Sequence, residues 1–114
     1  MTALFRVDFE AANNEDFRYA FALTDTEGAP VDLTAATFRM HIETNADADV
    51  LALTTENGRI GVEAIAGRID LVVPAAAMAG LAANYHVHDM LMVKGGQTTR
   101  LWAGGFSVIQ GVTE

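Results

Sequence analysis

The sequence predicts an all-β protein, an antiparallel β-sandwich of about seven to eight strands with one short helix or turn pair. Three observations predict it. Apolar residues recur at every second position in one segment after another, the period of a half-buried strand. Turn-forming residues, glycine above all, separate these segments about every 8–12 residues. Only one stretch, Pro74 to Ala83, breaks the two-residue period.

The stretch that organises the chain spans Gly28 to Ile42, GAPVDLTAATFRMHI. It reads as a polar turn, a tight corner and then a strand. Phe38, Met40 and Ile42 share one side, and Thr37, Arg39, His41 and Glu43 share the other. From the start of the chain, Leu4 to Phe9 alternates as a first strand, and AANNED at 11–16 is a polar connection. Phe17, Tyr19, Phe21 and Leu23 then occupy one face of a second strand. Ala20 and Ala22 oppose them, as residues that lie under another element or at an interface. After the organising strand, NADAD at 45–49 is an acidic loop and Val50 to Thr54 a short strand. Asn57-Gly58 is the strongest hairpin dipeptide in the chain. Ile60 and Val62 form a strand, Ala66-Gly67 a tight turn, and Ile69, Leu71 and Val73 the next strand. Pro74 to Ala83 is alanine-rich, with proline at a first helical position. It predicts a short helix or turn pair crossing one end of the sandwich. Tyr85 to Val93 alternates again, Lys94 to Gln97 is a glycine hairpin turn, and Thr99 to Ile109 is the closing strand. Gly104-Gly105 inside it predicts a bulge or a close backbone approach.

At 114 residues, 51% of them hydrophobic, the chain is expected to be a single domain over 1–114 with a real core. The longest apolar run, Leu71 to Leu81, is broken by Pro74 and Gly80 and is too short for a membrane span of ~20 residues. The start, MTALFRVDFE, lacks a basic region followed by an apolar core, so no secretory signal is expected. Cysteine is absent, which removes disulfides and thiolate metal sites. Seven Lys and Arg face fifteen Asp and Glu, a net charge of −8, and the seven do not cluster. Nucleic acid and anionic membranes are therefore not expected partners.

No motif spells out a reaction, so no catalytic residue and no cofactor is expected. Ser107 is the only serine and has no nucleophile elbow around it. The Gly95-Gly96 and Gly104-Gly105 pairs open no phosphate loop. Asn45 to Asp49 lacks the glycine and distal glutamate of a calcium loop. His86 and His88 share a strand face, and His41 is a third ligand only if its strand is adjacent; no metal site is expected from them. Met90 and Met92 continue that face. A His-His-Met-Met face reads either as packing or as a partner surface. Trp102 reads as a core anchor. The candidate contact residues are Phe5, Arg6 and Val7 of the first strand, Asp47 and Asp49 of the acidic loop, and His86, His88 and Met90.

The order of motifs carries a likeness. It runs through Asp25 to Thr37 (DTEGAPVDLTAAT), Thr55 to Ile60 (TENGRI), Ala66 to Leu71 (AGRIDL), Pro74 to Leu81 and Tyr85 to Val108. Nearly the whole chain resembles the small immunoglobulin-like modules of tailed phages and prophages, similar to the N-terminal domain of upper baseplate proteins. The resemblance implies a non-enzymatic structural part of a virion, made in the host cytoplasm. Its implied partners are other virion proteins of a tail, baseplate or capsid, contacted in many copies. Family members often continue into a fibre or stalk. Here Val112-Thr113-Glu114 follows the last strand, so a free-standing module is expected, which brings in capsid-surface decoration beside tail or baseplate attachment. The alternative is a small ligand- or carbohydrate-binding sandwich, with Trp102 and Tyr85 stacking on the ligand.

Overall fold

The computed structural model describes residues 5–44 and 50–113. They build the expected all-β sandwich of two sheets. In chain order the strands are β1 (Phe5–Arg6), β2 (Phe9–Ala12), β3 (Phe17–Ala22), β4 (Thr37–Thr44), β5 (Val50–Thr54), β6 (Ile60–Glu63), β7 (Arg68–Val73), β8 (Tyr85–Lys94) and β9 (Gln97–Ile109). A single helical turn, α1 (Ala75–Met78), joins β7 to β8. The larger sheet has the order β1-β9-β8-β4-β5, with β2 also on β9; the smaller has the order β3-β7-β6. β1 and β2 are two halves of one edge strand. Phe5 lies opposite Trp102 and Phe9 opposite Phe106, so the register is unbroken across Val7-Asp8.

Two local expectations are corrected and a third is met. First, the sandwich is not wholly antiparallel, because β1 and β2 run parallel to β9. The polar segment after β2 carries the chain to the other sheet, so the first strand has no hairpin partner and lies along the last one. Second, Asn57-Gly58 closes no hairpin: β5 pairs with β4, and β6 with β7. A type I′ turn needs positive φ at both central residues, and of the two only Gly58 has it, at +79°. Asn57 is used differently. Its Oδ1 accepts from the Thr54 and Arg59 amides at 3.0 Å, and its Nδ2 donates to the Ala52 carbonyl at 3.0 Å. This side-chain cap steers the chain from one sheet into the other. Third, the Gly104-Gly105 pair meets its expectation as a close backbone approach, since a Cβ on Gly104 would fall 1.9 Å from the Val7 carbonyl, and a bulge lies just before it. The register shifts between Met90 and Leu91, which face Trp102 and Arg100, so Leu101 is the extra residue.

The other turns follow their chemistry. Gly95 and Gly96 have φ of +60° and +78°, the pair a type I′ β8–β9 turn requires. α1 crosses one end of the sandwich, as its sequence predicts. The Asp16 carboxylate accepts from the Ala75 amide at 2.8 Å, and Met78 is fully buried. The period-two faces build the core. Phe38, Met40 and Ile42 of β4 share the sheet's inward face with Met90, Trp102 and Phe106, all buried. Phe9 meets Phe17 edge-on with ring centroids 5.2 Å apart, and Phe21 lies 4.3 Å from Trp102. Burying each such side chain stabilises the fold by about 1.5–3 kcal/mol. Ala20 and Ala22 are exposed on the outer face of the small sheet.

Candidate functional site

The candidate residues separate by face. β8 pairs with β4 so that His88 lies beside Ile42 and His86 beside Thr44. That is the core side. His86, His88 and Met90 are 0%, 4% and 0% exposed, so the His-His-Met face is packing and not a partner surface. The reason is strand parity: Met90 shares the face of Met40 and Trp102, and a period of two takes His88 and His86 inward with it. His86 Nε2 is tied to the Ala82 carbonyl at 2.9 Å. His41 lies opposite Asp89, on the outer face, so the three histidines do not converge. Among the described residues no group of three or more metal-ligating side chains occurs. Arg6 is exposed, Val7 half-buried, and Phe5 is in β1. Asp47 and Asp49 lie outside the described residues. Trp102 is fully buried and cannot stack on a ligand.

His88 sits in an apolar slot. Its ring lies 5.0 Å from Phe9 and 6.2 Å from Phe106. Neither ring nitrogen makes a hydrogen bond of ordinary geometry, although the Gly105 backbone lies near enough to favour the protonated ring slightly. Burial pushes its pKa down from 6.5 to about 4, and the Asp89 and Asp8 carboxylates only partly oppose this.

On the other side of the larger sheet, outer-face residues of β1, β4, β8 and β9 frame a groove of about 440 Å³. Val87 and Ala103 lie along its floor, His41 and Glu43 line it from β4, and Arg100 and Asp89 line it as an ion pair at 3.7 Å. Arg6 and Tyr85 close the remaining side. Two adjacent glycines make this arrangement possible. A Cβ on Gly104 would fall 1.9 Å from the Val7 carbonyl, so glycine lets the edge strand pass. A Cβ on Gly105 would fall 2.5 Å from the Tyr85 hydroxyl, so glycine lets the tyrosine ring lie against the sheet. Tyr85 remains 45% exposed. Asp8 locks the corner. Its Oδ1 accepts from the Gly105 amide at 2.8 Å, and Arg6 grips it through Nε at 3.1 Å and Nη2 at 3.0 Å. The Gly105 amide, and then Arg6, hold the Asp8 carboxyl below the usual carboxylate range.

Of the residues lining this groove, the sequence singled out Arg6 and His88 as contact residues, His41 as a conditional third ligand and Tyr85 as a stacking candidate. Glu43, Asp89 and Arg100 went unnamed as site residues. Outward parity on β4, β8 and β9 is the signal that could have found them.

The fold and the groove define a small two-sheet β module with a polar outer face on its larger sheet. No protein-family model and no curated protein matches the chain. Among solved structures, the chain is similar in fold to the N-terminal domain of phage TP901-1 ORF48, with a TM-score of 0.51 and 12% identity. The match covers 94% of this chain and 85% of that one. The likeness to a phage module expected from the turn and corner motifs therefore holds at the level of the fold.

Proposed function

We propose that the chain is a non-enzymatic structural module of a tailed-phage virion, docked in many copies on a larger assembly. The observation that supports it is the fold shared with a phage protein domain over nearly the whole of both chains. Tail, baseplate or fibre attachment is the first reading of the docking site, and capsid-surface decoration the second. Contacts come from the sheet edges. β1 and β2 lie at one edge of the larger sheet and β5 at the other, and β3 and β6 bound the smaller. Edge strands are natural sites for main-chain pairing with a neighbouring chain. The excess of acidic residues suits a basic partner surface and keeps free copies apart in solution.

The test is quantitative mass spectrometry of purified particles from the phage or induced prophage that encodes the chain. The expected result is stoichiometric recovery, with gold-labelled antibody placing it on tail or capsid. Absence from particles rejects the proposal.

A further inference from the structure

We propose that the outer-face groove of the larger sheet binds a neutral saccharide through Arg6, His41, Glu43, Tyr85, Asp89 and Arg100. This does not rest on the virion reading; it rests on what lines the groove. The volume, about 440 Å³, falls within the range of about 300–1,000 Å³ typical of small-molecule sites. The charges are largely paired within the site, Arg6 with Asp8 and Arg100 with Asp89, and Glu43 is left over. An anion meets the repulsion of Glu43 while both guanidiniums are already engaged. A neutral ligand does not, and it gains wherever it both donates and accepts hydrogen bonds.

A pyranose has that chemistry. Its vicinal hydroxyls donate to carboxylates such as Glu43 and Asp89 and accept from guanidinium, imidazole and phenol groups, and bonds to charged partners are the stronger kind. Its other face is a row of C–H groups. The groove offers those an apolar floor in Val87 and Ala103 and a half-exposed ring in Tyr85. The site is also organised in advance. The Arg6–Asp8 pair, the Asp8 bond to the Gly105 amide and the Gly105–Tyr85 approach fix one wall with no ligand present. Preorganisation lowers the cost of binding. The groove is open, so single-site affinity is weak.

The test is a titration of the isotope-labelled chain with maltose, lactose, a rhamnose disaccharide and chitobiose, followed by amide NMR shifts. Glucuronic acid and glucosamine serve as charged comparisons. The expected result is a saturable shift with at least one neutral sugar below about 20 mM. Shifts should be confined to Tyr85–Asp89, Arg100–Gly105 and His41–Glu43. Tyr85→Ala should weaken it about tenfold, and Ala103→Leu, which fills the floor, should abolish it. Arg18→Ala, on the other sheet, should leave it unchanged. Both groove substitutions face solvent, and circular dichroism checks that each variant folds. No saturable shift with any neutral sugar overturns the proposal. So does tighter binding of glucuronic acid or glucosamine, or an undiminished affinity in the folded Ala103→Leu protein. Particle composition decides the virion reading separately.

Discussion

Acid should destabilise this fold through one buried ring, His88. Its pKa is about 4 in the folded chain against 6.5 unperturbed, with burial as the main cause. Above pH 6.5 neither state carries the proton, and the full stability is present. Between pH 6.5 and about 4 the unfolded chain takes up a proton that the folded chain refuses, so stability falls as pH falls. Below about 4 both states bind it and this loss stops growing. The gap corresponds to about 3 kcal/mol at ~1.36 kcal/mol per pH unit. Relaxation and water penetration around a buried charge reduce the expectation to about 2 kcal/mol. The charged groups around the ring are Asp8 and Arg6 from the edge strand and Asp89 from β8. Carboxylates titrate in the lower part of the same window, so the comparison has to be differential. His88→Phe keeps a planar ring in the slot between Phe9 and Phe106 and removes the proton site. In urea unfolding at pH 7 the variant should equal or exceed the wild type. Its advantage should grow by about 2 kcal/mol between pH 7 and pH 4, roughly 1 M in the midpoint. Parallel stability profiles for the two proteins over that range would refute the reasoning.

Two further substitutions probe the joints that hold the N-terminal segment. Gly104→Ala puts a Cβ 1.9 Å from the Val7 carbonyl; it should cost about 1–3 kcal/mol. Hydrogen exchange should then accelerate at the Phe9–Ala12 amides before those of β4 and β8. Asn13→Ala removes a buried amide that donates to the Leu81 carbonyl at 3.2 Å and accepts from Gly111 N–H at 2.9 Å. The expected loss is about 1–3 kcal/mol, read as a lower thermal midpoint.

Fold class and most element positions were legible in the sequence because strand parity is a local property. Phe38, Met40 and Ile42 announce their face through their own spacing. The proline-alanine segment announces a change of period in the same way. Pairing partners were less legible. Nothing in Leu4 to Phe9 says that its neighbour is the last strand and parallel to it, because that depends on where a polar connection takes the chain. Asn57-Gly58 misled for a related reason. The dipeptide suits a tight hairpin, but the Asn57 side chain satisfies three backbone groups of a cross-sheet turn instead. The histidine face misled because histidine and methionine carry no sign of which way they face. Only the β4 and Trp102 register turns His86 and His88 inward. The groove was nearly invisible, since its residues come from four strands far apart in sequence.

The groove and the edge strand are linked through the adjacent glycines of β9. Successive residues of a strand point to opposite faces, so Gly104 and Gly105 serve different sides of one sheet. Gly104 leaves space for the Val7 carbonyl, and Gly105 leaves space for the Tyr85 ring. Asp8 bridges the two by accepting from the Gly105 amide while holding Arg6. The edge strand thus supplies Phe9 to the core slot around His88 and Arg6 to the outer groove. Detaching that strand would remove a wall of the groove and uncover the buried imidazole together. Any chain that paired with this edge would therefore act on the groove through Arg6 and Asp8, without touching Val87 and Ala103.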